Sequence, residues 1–77
     1  MSKKRGSEPM RVRLKVREIT EQQGHTRTWL SHHAEIQYDT VTRIWKEPET
    51  NVSIATLTKI AKALGVDVTE LYEEVDD

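Results

Sequence analysis

Residues 27–46 read as two short amphipathic segments at helical spacing, separated by a break of only three residues, Glu35, Ile36 and Gln37. Leu30 and Ala34 make the apolar stripe of the first segment. Val41, Ile44 and Trp45 make that of the second, whose other side carries Tyr38, Asp39, Thr42, Arg43 and Lys46. Ile36 rules against one continuous helix. On a single helix Leu30, Ala34, Val41 and Ile44 could share a face, but Ile36 would fall off it. An apolar residue inside the break is instead expected to plug the turn into the core, with the two helices crossing. Ser31 is the small residue that a close crossing requires.

That arrangement is a helix-turn-helix, in which the second helix projects from the packed body. The rest of the chain supplies the body. "VRLKVREITEQQG" places Val12, Val16 and Ile19 at helical spacing, and Gly24 follows as a stop. A helix from about Leu14 to Gln23 is expected, although the alternation in "RVRLKV" also fits a short strand. Thr26 is a natural N-cap for the next helix. Pro48 ends the third, and "EPETN" is a loop. "SIATLTKIAKALG" is the plainest helix of all, capped by Ser53, closed by Gly65, and apolar at Ile54, Leu57, Ile60, Ala61 and Leu64. In "DVTELYEEV", Asp67 and Glu70 have capping-box spacing, and Val68, Leu71, Tyr72 and Val75 form an apolar side. The expected fold class is all-α, five short helices in one domain over residues 10–77. Residues 1–9, "MSKKRGSEP", read as a flexible arm, with Met10 as an alternative start.

Charge adds a direction. Residues 1–46 carry ten Lys/Arg against five Asp/Glu, and residues 47–77 carry two against eight. The first part is suited to phosphates, the second is not. The 77 residues hold no cysteine, which excludes a disulfide framework and a thiolate metal site. No apolar run is long enough to span a membrane and no signal-peptide pattern is present, so a cytoplasmic location is expected. His25, His32 and His33 do not make a metal site: neighbouring helical histidines diverge by about 100°, and no cysteine joins them. No nucleophile–base set or glycine-rich phosphate loop occurs, and a short helical chain can hardly enclose a catalytic pocket. Neither an enzyme nor a cofactor is expected.

From about Val12 to Val75 the chain resembles the Cro and lambda-repressor-like (XRE-type) helix-turn-helix family. The resemblance rests on "TRTWLSHHAEIQYDTVTRIW" and on "VSIATLTKIAKALGVDVTELY", and it covers about 64 of 77 residues. Three positions depart from the family pattern. Glu35 stands where glycine is usual in the turn, Arg27 where glutamine is frequent, and Gln37 where a Ser, Thr or Asp often caps the recognition helix. Trp45 stands where some members carry an aromatic and others an acid. The resemblance implies a transcriptional regulator, a repressor in the first instance, binding double-stranded DNA as a homodimer. Gln37, Tyr38, Asp39, Thr42 and Arg43 would then face the bases, with Arg43 suited to guanine and Gln37 to adenine. Asp39 could accept from cytosine, or serve the positive end of its own helix. Thr26, Arg27, Thr28 and Lys46 would meet phosphates, with Thr50 and Asn51 weaker candidates. Lys3, Lys4 and Arg5 in the arm would add salt-sensitive affinity. Trp29 and Trp45 are expected to serve packing rather than stacking on a ligand. Leu71, Tyr72 and Val75 are expected to form part of a dimer surface. A second reading is an interaction module on the same fold, such as an antitoxin with a toxin as partner, to which the acidic C-terminal half would be suited.

Overall fold

The computed structural model describes residues 12–75. The expected arm, with Lys3, Lys4 and Arg5, lies outside them. In chain order the elements are β1 (Val12–Leu14), α1 (Val16–Gln22), α2 (Arg27–Ala34), α3 (Tyr38–Lys46), α4 (Ile54–Leu64), a 3₁₀ turn (Val68–Leu71) and β2 (Tyr72–Glu74). Expected caps recur at two helices. Thr26 accepts the Trp29 N–H at 3.1 Å, and Ser53 accepts the Thr56 N–H at 3.1 Å.

The all-α expectation is corrected at both ends of the chain. Among the described residues there are four α-helices, and a two-stranded antiparallel sheet stands where the fifth helix and the start of the first were expected. The register pairs Val12 with Glu74, Arg13 with Glu73 and Leu14 with Tyr72. Asp67 and Glu70 do start a helical turn. Thr69 N–H donates to the Asp67 carboxylate, and Asp67 N–H to the Glu70 carboxylate. The turn stops after Leu71 because Tyr72 is extended, with φ −148° and ψ 161°. Leu71 C=O accepts from Lys15 N–H at 2.6 Å instead of closing another helical turn. Leu14 N–H donates to Pro48 C=O at 2.7 Å, so the loop after α3 covers the other edge of β1. The Leu14 and Lys15 N–H groups thus serve carbonyls far along the chain. The alternation of "RVRLKV" was the relevant signal, and α1 begins two residues later than expected.

The core gathers residues from every layer. Leu14, Val16, Leu30, Ala34, Val41, Ile44, Leu57, Ile60, Ala61, Leu64 and Leu71 are buried in one cluster. Helix α2 packs on α3 and α4, and α1 braces the same two helices. Leu71 is 0% exposed, inside its own domain. It therefore cannot contribute to a dimer surface as expected: the chain turns into β2 at that point and drives the side chain inward. Tyr72 is half-buried against the same cluster. The polar side chain buried with these residues is Thr20, whose hydroxyl donates back to Val16 C=O at 2.7 Å.

The turn between α2 and α3 uses a left-handed residue. Glu35 has φ 57° and ψ 48°, and Glu35 and Ile36 N–H both donate to Ser31 C=O. Helix α4 ends the same way at Gly65, φ 71°, with Gly65 and Val66 N–H reaching Ala61 C=O. Only glycine takes this conformation without a Cβ penalty. Glu35→Gly is expected to stabilise the fold by about 0.5–1 kcal/mol, the relief of strain exceeding the added chain entropy. The check is a higher urea midpoint at unchanged m-value. Ser31 does more than make room: its hydroxyl donates to Ile36 C=O at 2.7 Å and ties the turn to α2.

Candidate nucleic-acid interface

Helix α3 buries Val41 and Ile44 against the body and turns Asp39, Arg43 and Lys46 outward. These three recur at the spacing of one helical stripe, opposite the core side. Gln37, the extended N-cap, leaves its amide outside: its side chain makes no cap hydrogen bond, while its C=O accepts from Thr40 and Val41 N–H. Asp39 sits in the first turn, where a carboxylate favours the helix dipole. Tyr38 is 42% exposed at the start of the helix. Thr42 differs from its neighbours. It is half-buried, and its hydroxyl oxygen is buried with no hydrogen-bond partner.

The start of α2 lies beside the start of α3. Thr26 and Thr28 are exposed, and Arg27 is half-buried with its guanidinium carbon 5.7 Å from the centre of the Tyr38 ring. Sequence reasoning placed Arg27 and Tyr38 in separate roles and gave no sign of this contact, because it depends on the crossing angle of the two helices. In the loop after α3, Thr50 is half-buried, its N–H donating to Glu47 C=O at 2.8 Å, and Asn51 is exposed.

Ion pairing separates two sets of cations. Arg13 bridges Glu18 and Glu73, and Arg17 pairs with Glu21 at 3.3 Å. These lie along β1 and α1. Among the described residues, no carboxylate pairs with Arg27, Arg43 or Lys46. Arg13 and Arg17 are thus neutralised locally, while among the described residues Arg27, Arg43 and Lys46 on α2 and α3 are left unpaired, as is Lys15 between β1 and α1.

The pairing on the α1 side has a pH signature. Burial pushes the Glu18 carboxyl up, but its own backbone N–H, the Arg13 hydrogen bond and the charges of Arg13 and Arg17 outweigh this and hold it below the usual carboxylate range. Glu18 hydrogen-bonding raises Arg13 in turn. A carboxyl depressed in the folded state binds protons more readily when unfolded. Its contribution is therefore complete above the unfolded value, about 4.3, and is lost as pH falls through the folded one. Thermal melts from pH 6 down to pH 3 are expected to fall more steeply for the wild type than for Glu18→Gln. Both groups are largely solvated, so the difference is small.

Trp29 and Trp45 are half-buried and pack on the core. Both faces of the Trp29 indole are occupied. His25 stacks on one at 3.5 Å between ring centres and His33 on the other at 4.2 Å. Two of the three histidines therefore engage an indole, and Trp29 has no free face for a base.

No helix among the described residues is long and apolar enough to cross a membrane. The chain resembles two solved structures. One is a candidate DNA-binding protein from Bacteroides fragilis, 22% identical, at a TM-score of 0.69 over 80% of this chain and 98% of that one. The other is the transcriptional regulator VanUg, 19% identical, at a TM-score of 0.75 over 99% of this chain and 100% of that one. At these identities the likeness concerns the fold. No curated protein sequence matches the chain. The family model of the Cro/C1-type helix-turn-helix DNA-binding domain matches residues 13–77, and with helix-turn-helix geometry at α2 and α3 the chain belongs to that family.

Proposed function

We propose that this protein is a sequence-specific, double-stranded-DNA-binding transcriptional regulator that represses, and that it works in the cytoplasm as a homodimer on a pseudo-palindromic operator. The observation carrying this reading is that Arg27, Arg43 and Lys46, on the two helices of the unit, are in no ion pair among the described residues, whereas Arg13 and Arg17 on β1 and α1 are paired. The names of the two similar structures agree with it. The N-terminal half of α3 enters the major groove. Arg43 donates to guanine O6 and N7, Gln37 reads adenine, and Tyr38, Asp39 and Thr42 line the same contact, the Thr42 hydroxyl turning outward on binding. Thr26, Arg27 and Thr28 present the free N–H groups and charge of the α2 N-terminus to one phosphate, and Lys46 meets another. Binding needs no cofactor and involves no catalysis. Two copies would set their recognition helices about 34 Å apart in successive grooves.

The test is selection of the purified protein against a randomised duplex library. Enrichment of an inverted repeat is the expected result. Enrichment of a single half-site would remove the dimer, and no enrichment by folded protein would remove the reading. One observation favours a second reading, an interaction module such as an antitoxin. Glu70 and Glu74 are exposed on the C-terminal turn and strand and would suit a basic protein partner. Duplex affinity that falls steeply with salt supports the first reading, because it counts released counterions.

A further inference from the structure

Arg27 is the first residue of α2 and Tyr38 the first of α3, and the guanidinium lies over the phenol ring. We infer that Tyr38 is a positioning residue: its ring face, rather than its hydroxyl, holds the Arg27 guanidinium at the junction of the two helix N-termini, ready for a DNA phosphate. This deepens the duplex-binding reading above and rests on it.

Three features carry the inference. First, the Arg27 side chain is long and has no carboxylate partner among the described residues to fix its direction. The Tyr38 ring is the partner the structure provides. Second, a guanidinium stacks on aromatic faces while its N–H donors lie in its own plane. A cation held by a ring face keeps its charge, so the Arg27 guanidinium stays available to a phosphate. An acid in the same place would fix the side chain but cancel the charge. Third, Tyr38 remains 42% exposed although the half-buried Arg27 lies over its ring, so the pair sits at the surface where a strand of DNA would pass. Holding the arginine in advance removes part of the ordering cost of binding.

The inference separates ring from hydroxyl, and so predicts opposite outcomes for two substitutions. On the duplex recovered by selection, Tyr38→Phe is expected to keep the wild-type slope of log affinity against log salt, since a phenyl face also attracts cations and holds the Arg27–phosphate contact. Tyr38→Leu and Arg27→Ala are each expected to weaken binding, by up to roughly tenfold for the loss of one charged hydrogen bond. Each should lower the slope of log affinity against log salt by up to about 0.9, one phosphate contact. The double variant should bind no worse than Arg27→Ala alone. Circular dichroism confirms that each variant is folded. A salt slope lowered in Tyr38→Phe as far as in Tyr38→Leu would overturn the inference, as would additive changes of salt slope in the double variant.

A DNA-free measurement keeps the pairing separate from the functional reading. Proton NMR of the free protein should show the Arg27 side-chain protons shifted upfield by the ring in the wild type and in Tyr38→Phe, and not in Tyr38→Leu. No such shift would overturn the inference even if DNA is bound. A clear shift with no duplex bound would overturn the DNA-binding reading, and with it the phosphate role, while leaving the pair established.

Discussion

Leu71→Ala is expected to destabilise the domain by about 2–5 kcal/mol. Leu71 is 0% exposed and belongs to the single cluster that also holds Val16, Leu30, Ile44 and Ile60. Truncation removes buried methyl groups and leaves a cavity that the neighbours can fill only in part, since the Lys15 N–H bond to Leu71 C=O pins the backbone there. A domain of this size has a net stability of roughly 5 kcal/mol or little more, so the variant should lose a large part of its margin against unfolding. Urea melts at two protein concentrations check the assignment. A large fall in midpoint that does not depend on concentration places Leu71 in the core of one chain. A folded variant that merely dissociates would return it to an interface between chains.

The second large effect is on binding. Arg43→Ala is expected to lose about 1–3 kcal/mol of discrimination at one base position and to relax the preference there. Arg43 projects from the outward stripe of α3, on the side opposite Val41 and Ile44, and forms no ion pair among the described residues, Asp39 one turn away included. Its planar fork is therefore free to meet the two acceptors of a guanine. Repeating the library selection with the variant gives the result directly: one position of the recovered motif should lose information while the others keep theirs. Lys46→Ala is the contrast. It should weaken all sequences alike and lower the salt slope, as a phosphate contact does. A uniform loss in Arg43→Ala as well would reduce Arg43 to a phosphate contact.

Local sequence determined a good deal here. Leu30, Ala34, Ile36, Val41 and Ile44 lie at spacings that only two crossing helices can bury together, and the structure packs them so. Thr26, Ser53, Asp67 and Gly65 mark element ends through hydrogen bonds or a backbone conformation complete within a few residues. For the same reason, α2, α3 and α4 and the polar outer side of α3 were legible without coordinates. Signals of that kind need no partner elsewhere in the chain.

What tertiary structure decided is what depends on residues far apart in sequence. "DVTELYEEV" carries a complete start signal for a helix, yet it becomes one 3₁₀ turn and a strand, because Leu71 C=O and the Tyr72–Glu74 backbone meet β1 almost sixty residues away. Helical and extended forms of such a short segment differ little in intrinsic free energy, so the long-range ladder tips the balance. That choice also moved Leu71 from an imagined outer surface into the core. The site follows the same rule. Local pattern places Arg27, Tyr38 and Arg43 on helix faces. Only the crossing of α2 and α3 lays the guanidinium of Arg27 over the Tyr38 ring, and only the sheet draws Arg13 to Glu73. Charge can be counted along a chain, but which cations are neutralised and which stay available is set by distances that only the folded chain defines.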